Sequence, residues 1–265
     1  MSGIKVITEP RIYLVGRQVI DDGEIVRFLA DEGVENWTTD TEVAAQMLVE
    51  VAGRLCYRSY ANPRPGGNAA YIAHILEVGH GSVLEHAVYS VVITGVSRSL
   101  THELVRHRVG LSFSQLSQRF VDEADCAFVA PPLILGSGPS ACAAFAAWDE
   151  HCQYSAVVYG ELVQRLMHEL ADVSDKTLRR KQAREAARSV LPNCVETQIF
   201  VTGNARAWRH MLELRGSIHA DAEFRRLALA LLGVLKTEAP NIFGDIGVMT
   251  DDAGGEYLSV THHKV

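Results

Sequence analysis

The sequence predicts an α+β fold in which an antiparallel sheet is flanked by long helices, and three observations carry the prediction. β-branched runs such as VLEHAVYSVVITG (83–95) and VETQIFVTG (195–203) stand apart from much longer stretches of helical periodicity. Strands and helices do not alternate regularly, as a doubly wound parallel sheet requires. The chain of 265 residues is 48% hydrophobic and 22% charged, a core-forming composition that excludes disordered and collagen-like classes.

Taken in order, apolar Ile4, Val6, Ile12, Leu14 and Val15 predict one or two opening strands. Asp22 is the expected cap of a helix running through Phe28 and Leu29. Thr39 or Thr41 is the expected cap of a longer one, in which Val43, Met47, Val51 and Leu55 recur at helical spacing. ANPRPGGNA (61–69) reads as a loop, and a helix from about Ala69 to Val78 stops at Gly79. After the strand over 83–95, Ser97 caps a helix running to Arg108. Gly136, Gly138 and Ala141 match G-x-G-x-x-A, a dinucleotide fingerprint. However, Pro131 and Pro132 precede the short apolar run, and no second strand with an acidic end follows at βαβ distance, so a loop and helix entry is the better reading. Helices over 139–171 and 174–189, a strand over 195–203 and helices over 204–216 and 219–236 complete a single domain, 1–250, with a C-terminal tail, 251–265.

Charge narrows the functional classes. With 25 Lys and Arg against 32 Asp and Glu, the net charge is −7, which argues against a surface that grips nucleic acid or an anionic membrane. An anionic ligand then needs a local basic pocket. Five cysteines (Cys56, Cys126, Cys142, Cys152 and Cys194) form no C-x-x-C pair, as expected of reduced thiols in a cytoplasmic protein. No apolar stretch of about 18 residues predicts a membrane span.

The densest polar run is Arg98, His102, Glu103, Arg106, His107 and Arg108. On one helix, His102 and Arg106 are four apart and Glu103 overlies Arg106 and His107, which crowds charge on one side. A solvated, ion-paired face is the plain reading of such a run. Here it flows into Ser112, Ser114, Gln115, Ser117, Gln118 and Arg119, and guanidinium forks beside hydroxyls and amides suit a phosphate together with a polar base edge, hence a nucleotide. Lys181, Arg184 and Arg188 share a second helix face, and Arg206, His210, Arg215 and His219 form a third cluster. His80 and His86 invite a metal reading, but HExxH and other compact ligand sets are missing from the sequence, as is the G-x-S-x-G nucleophile elbow. None of the cysteines sits in an activating basic context.

GHGSVLEH (79–86), GVSRSLTHELVRHR (95–108), SFSQLSQRF (112–120), LRRKQAREAARSVLPN (178–193) and VTGNARAWRHMLELRGSIHADAEFRR (201–226) together resemble the flavin-dependent thymidylate synthases, in the same order over about residues 48–245. The resemblance implies the fold of that family, a homotetramer, and FAD and a uridine nucleotide bound where subunits meet. It implies NADPH as reductant and methylenetetrahydrofolate as one-carbon donor to pyrimidine C5, with no cysteine attack on the ring. Arg106, His107 and Arg108 match the signature that holds flavin and substrate, and Glu103 a position near the nucleotide. Gln115, Leu116, Ser117, Gln118 and Arg119 match the peptide around the nucleotide phosphate, with Arg188 supplied by another subunit. Arg215 matches the arginine against the pyrimidine, and Arg215, Arg106 and His210 form the implied catalytic set. His80, Ser82, Glu85, Ser114, Asn204, Arg206, His210 and His219 match flavin-side and folate-side positions.

Two departures stand out. The family places seven residues between the Arg-His-Arg triplet and the serine, whereas Val109 through Leu116 are eight, an insertion among Val109, Gly110 and Leu111. Phe120 stands where many relatives have tyrosine. The expected reaction is dUMP to dTMP; room for a ribose 2′-hydroxyl makes a UMP C5-methylase of a specialised nucleoside pathway, such as antibiotic biosynthesis, the alternative. Rival classes are a metal-dependent hydrolase on His80 and His86 and a nucleotide-binding protein without turnover.

Overall fold

The structure, a computed structural model of the chain, describes residues 4–34, 37–62, 64–136 and 138–265. Its strands are β1 (Lys5–Ile7), β2 (Arg11–Gly16), β3 (Val88–Ser97), β4 (Leu111–Gln115), β5 (Ala127–Val129), β6 (Glu196–Asn204), β7 (Ile246–Thr250) and β8 (Glu256–Val260). Its helices are α1 (Asp22–Asp31), α2 (Ala44–Tyr57), α3 (Gly67–Glu77), α4 (Arg98–Leu104), α5 (Pro139–Glu169), α6 (Lys176–Ala187), α7 (Ala205–Arg215), α8 (Ala222–Glu238) and α9 (Pro240–Phe243). The chain divides into two compact units. One comprises Met1–Arg11, Ile93–Arg106 and Ser114–Phe200; the other Ile12–Val92, His107–Phe113 and Val201–Val265.

In the first unit β1 pairs with β5 in parallel, Val6 opposite Phe128. This departs from a wholly antiparallel sheet, and the long connection between the two strands permits it. Phe128, Cys152 and Val195 are fully buried together, with Trp148 of α5 packed on them. Asp175 caps α6, its Oδ1 accepting from the Thr177 and Leu178 amides. Ser97 caps α4 as predicted, its Oγ accepting from Leu100 N. The helix nevertheless ends at Leu104 and not at Arg108: the Val105 amide closes on Thr101 O and the Arg106 amide turns onto Glu103 O.

In the second unit, residues of β2, β3, β6 and β4 are neighbours in that order, and β7 and β8 form an antiparallel hairpin. Residues 251–265, expected as a trailing tail, thus include β8 and run on to a buried Val265. The strand expected from Val83 starts at Val88, because Gly81–His86 forms a 3₁₀ turn. Asp21, one residue before the predicted cap, caps α1. α2 starts at Ala44 without a side-chain cap, since the Thr39 hydroxyl donates to Glu50 and Thr41 Oγ1 accepts from the Val43 amide. Pro63 of the expected loop, and Ser137 within the Gly136–Ala141 run, lie outside the described residues.

The buried face of α2 is not the apolar stripe read from the sequence. Gln46, Glu50 and Arg54 point inward with Ala45 and Val49, while Leu55 is 53% exposed. These polar groups satisfy one another. Glu50 accepts from Arg54 Nε (2.8 Å), Thr39 Oγ1 (2.9 Å) and Asn68 Nδ2 (2.8 Å). Arg54 Nη1 donates to the Ser59 and Asn62 carbonyls, and its guanidinium lies 4.7 Å from the centre of the Tyr71 ring. Gly53 is required because Tyr71 Oη occupies the space of a Cβ there. Removing one partner of such a pair leaves the other charged and dry. Glu50→Ala is therefore expected to cost about 3–5 kcal/mol in urea denaturation, against under about 1 kcal/mol for Leu55→Ala at an exposed position of the same helix.

Candidate active site

In the second unit the site is built around His107, half-buried where the chain passes from the end of α4 toward β4. Arg215, the last residue of α7, donates from Nε to His107 Nε2 at 3.0 Å. An arginine can only donate, so Nε2 is the acceptor and the neutral imidazole carries its proton on Nδ1. The His210 and Phe224 rings meet His107 edge-on, each with its centre 6.2 Å away, and the Arg215 guanidinium covers Phe224 at 4.8 Å. Burial first, then the positive charge of Arg215 and the neighbouring His210, push the His107 pKa down to about 4. His107 is thus neutral at physiological pH, with its tautomer set by Arg215.

The wall beside it comes from the Gly81–His86 turn and the start of α7. Gln18 clamps the turn, donating to His86 O at 2.8 Å and accepting from the Val88 amide at 2.7 Å. Glu85 pairs with Arg206 at 2.7 Å, and the His80 ring stacks on Tyr57. Asn204 caps α7, accepting from the Ala207 amide, and its own amide donates to Gly110 O at 3.1 Å. Gly110 has φ +71°, and a Cβ there would meet Asn204 Nδ2 at 2.7 Å and the Ala207 Cβ at 2.9 Å. Val109–Gly110 is therefore a tight glycine turn, with Val109 91% exposed at its tip.

In the first unit the peptide 115–119 is pinned from several directions. Gln115 Nε2 donates to the Thr101 and Thr197 hydroxyls, and the Leu116 amide donates to Gln198 O. Arg98 Nη2 donates to Leu116 O at 3.0 Å, with Glu123 3.9 Å away. Burial, and then the nearby Arg188, lower the Arg98 pKa against the pull of Glu123. Gln118 is buried, and Ser117 O accepts from the Phe120 and Val121 amides. A cavity of about 230 Å³ beside this peptide is lined by Arg119, Phe120, Thr177, Arg180, Lys181 and Arg184. Arg184 is committed there, donating to Phe120 O at 2.6 Å and Asp122 at 2.7 Å, while Lys181 lies over the Phe120 ring.

Residues 39–241 match a family described as thymidylate synthase complementing protein. The flavin-dependent thymidylate synthase of Mycobacteroides abscessus is 51% identical over 231 residues, covering 86% of this chain and 90% of that one. That of Mycolicibacterium gilvum is 53% identical over 223 residues, covering 83% and 86%. The chain belongs to the flavin-dependent thymidylate synthase family. It is an enzyme of methyltransferase type. Its fold is similar to that of a UMP/dUMP methylase, PolB from Streptomyces cacaoi, solved with 5-Br dUMP and with 5-Br UMP: the TM-score is 0.63 at 20% identity, over 91% of this chain.

Of the residues that the family motif singles out, His80, Ser82, Glu85, His107, Arg108, Asn204, Arg206, His210, Arg215 and His219 belong to the second unit. Glu103, Arg106, Ser114, Gln115, Leu116, Ser117, Gln118, Arg119 and Arg188 belong to the first. The crowding of His102, Glu103, Arg106 and His107 along one helix does not occur, because the helix stops at Leu104. Arg188 lies past α6, exposed in a 3₁₀ turn. Sequence reasoning noted Arg98 only as part of the polar run; in the first unit it holds the Leu116 carbonyl of the 115–119 peptide. Nothing in the sequence flags Glu123. Burial pushes the Cys126 thiol up to about 12, and the hydrogen bond to Cys194, 3.6 Å away, and burial raise Cys152 further. Neither forms a thiolate at neutral pH. Among the described residues no group of three or more His, Cys, Asp and Glu side chains is arranged to hold a metal ion.

The neutral His107 sets a pH dependence. Its folded pKa of about 4 lies below its ordinary 6.5, so between those values the unfolded chain binds more protons and stability rises with pH. This contribution is fully present above about pH 6.5, is lost as pH falls to about 4, and changes no further below. His107→Gln, which keeps an acceptor for Arg215, should flatten that part of a plot of urea midpoint against pH.

Proposed function

We propose that the enzyme uses FAD in the reductive C5-methylation of a uridine 5′-monophosphate, dUMP to dTMP, with methylenetetrahydrofolate as one-carbon donor and NADPH as reductant, as a cytoplasmic homotetramer. The names of its relatives support the reaction, and one observation on this chain carries it: the Arg215–His107 pair. Because His107 is neutral, the fixed positive charge of that cluster is the guanidinium of Arg215, the group suited to negative charge developing on a pyrimidine carbonyl as C5 becomes nucleophilic.

The residues of the second unit suit FAD by the chemistry of their donors. Arg108 is exposed and makes no side-chain hydrogen bond or ion pair among the described residues, and Arg206 is steadied by Glu85 beside exposed Ser82 and His80. Permanent cations with neutral donors around them are what a pyrophosphate and a flavin edge require. FAD held there supplies the hydride chemistry that no side chain can. In our reading Ser117, Arg119 and Arg188 take the nucleotide phosphate, Gln115, Leu116, Gln118 and Glu103 fix the sugar and base side, and Arg106 and His210 complete the catalytic set.

The Val109–Gly110 turn favours a second reading, UMP as substrate. Gly110 is wedged against Asn204 and Ala207, so the extra residue is not slack in a loose loop but a fixed shape in the wall.

The purified protein should be yellow with a flavin absorption band; a colourless protein that takes up no FAD overturns the proposal. Comparing kcat/KM for dUMP and UMP separates the two readings, dUMP being expected to win, and deleting Gly110 should shift the ratio if the turn sets it. Arg215→Ala should lower kcat about 10²–10³-fold while the flavin band persists. Ser117→Ala should raise the nucleotide KM about tenfold and leave turnover measurable.

A further inference from the structure

The family match ends at residue 241, yet the chain beyond it returns to the flavin-side wall. After β8, Thr261 Oγ1 donates to Asp245 O at 3.0 Å and the His262 amide to Asp245 Oδ2 at 3.2 Å. Asp245 is itself gripped by Arg209, a residue only 3% exposed, which also donates to His262 O at 3.2 Å. The next two residues are fastened to Glu213 on α7: His263 Nδ1 lies 2.9 Å from its Oε1, and the Lys264 amide donates to its Oε2 at 3.2 Å. Val265 is then buried, and its main-chain carbonyl carbon sits where a Cβ on Gly81 would be, with Arg206 Nε 3.0 Å from the same point. Five consecutive residues are thus carried across α7 to the place where the Gly81–His86 turn meets Arg206.

We propose that Thr261–Val265 is a positioning strap for the cofactor wall. It fills the space above Gly81, and so fixes the turn that carries Ser82 and Glu85 and keeps Arg206 against Glu85. A wall held from behind binds its ligand without first ordering itself, whereas a free one loses affinity to that ordering. Gly81 is the one residue type that lets the strap approach so closely, because any side chain there displaces Val265. The strap rests on the reading of this wall as an FAD site, and it acts through Arg206 and the turn without touching the cofactor.

The test is FAD affinity of the chain of residues 1–265, by titration of its flavin absorbance, set beside the same chain lacking Lys264 and Val265, and beside Glu213→Ala and Glu213→Gln. The two strap-releasing variants should bind FAD about tenfold or more weakly, with kcat at saturating FAD within about twofold. Glu213→Gln retains an acceptor for the Lys264 amide and should bind FAD nearly as the parent does. Binding is compared below each variant's unfolding midpoint, so that lost stability does not read as lost affinity. FAD affinity within twofold of the parent in both releasing variants overturns the strap and leaves the flavin reading standing; a parent that takes up no FAD overturns both.

Discussion

The single bond from Arg215 to His107 settles the protonation, tautomer and orientation of the signature histidine at once. An imidazole beside a guanidinium cannot afford a proton on the nitrogen that faces it, and partial burial adds to that cost. The Arg-His-Arg triplet therefore carries two permanent cations and one neutral ring, not three positive charges. Phe224 completes the arrangement from below, taking the Arg215 guanidinium on its face and the His107 ring against its edge. Packing and polarity thus fix the same geometry.

That helix shows where the sequence was legible and where it was not. Ser97 as cap, the start of α5 at a proline, the long helices and β6 all follow from local signals that tertiary packing did not contradict. The helix end at Leu104 did not follow, because Val105–Arg108 has acceptable helix propensity, yet the Arg106 amide turns onto Glu103 O instead of extending the helix. The inward face of α2 was misread for a related reason: periodicity registers apolar side chains, whereas here the buried residues are a glutamate and an arginine that satisfy each other. The expected tail at 251–265 proved to hold a strand whose partner, β7, is only five residues away, a hairpin too short in apolar content to announce itself. Site residues were read mostly from the family motif, and the groups behind them carry no motif, because Arg98 and Glu213 act on backbone and Glu123 acts on the Arg98 side chain.

One device recurs in both units. Arg54 donates to the Ser59 and Asn62 carbonyls, Arg98 to Leu116 O, Arg184 to Phe120 O and Arg209 to Ile242 O and His262 O. Except for Ile242 in α9, each carbonyl belongs to an irregular segment outside the strands and helices. A guanidinium suits this work because its several donors reach a carbonyl and a carboxylate together, and three of these four arginines are also paired at close range, with Glu50, Asp122 and Asp245.

The acidic balance of the chain then takes on a different meaning. A net charge of −7 excluded a broadly basic surface and required a local pocket for any anion. Counting arginines overstates that pocket, since Arg54, Arg184 and Arg209 are consumed in holding loops. Among those left over, the side chains of Arg106, Arg108 and Arg188 make no hydrogen bond or ion pair among the described residues. Exposed guanidinium groups without a carboxylate partner keep their full attraction for phosphate, which an internal ion pair would have spent. Selectivity for an anionic ligand in an acidic protein depends less on how many cations the chain carries than on which of them its own carboxylates have left alone.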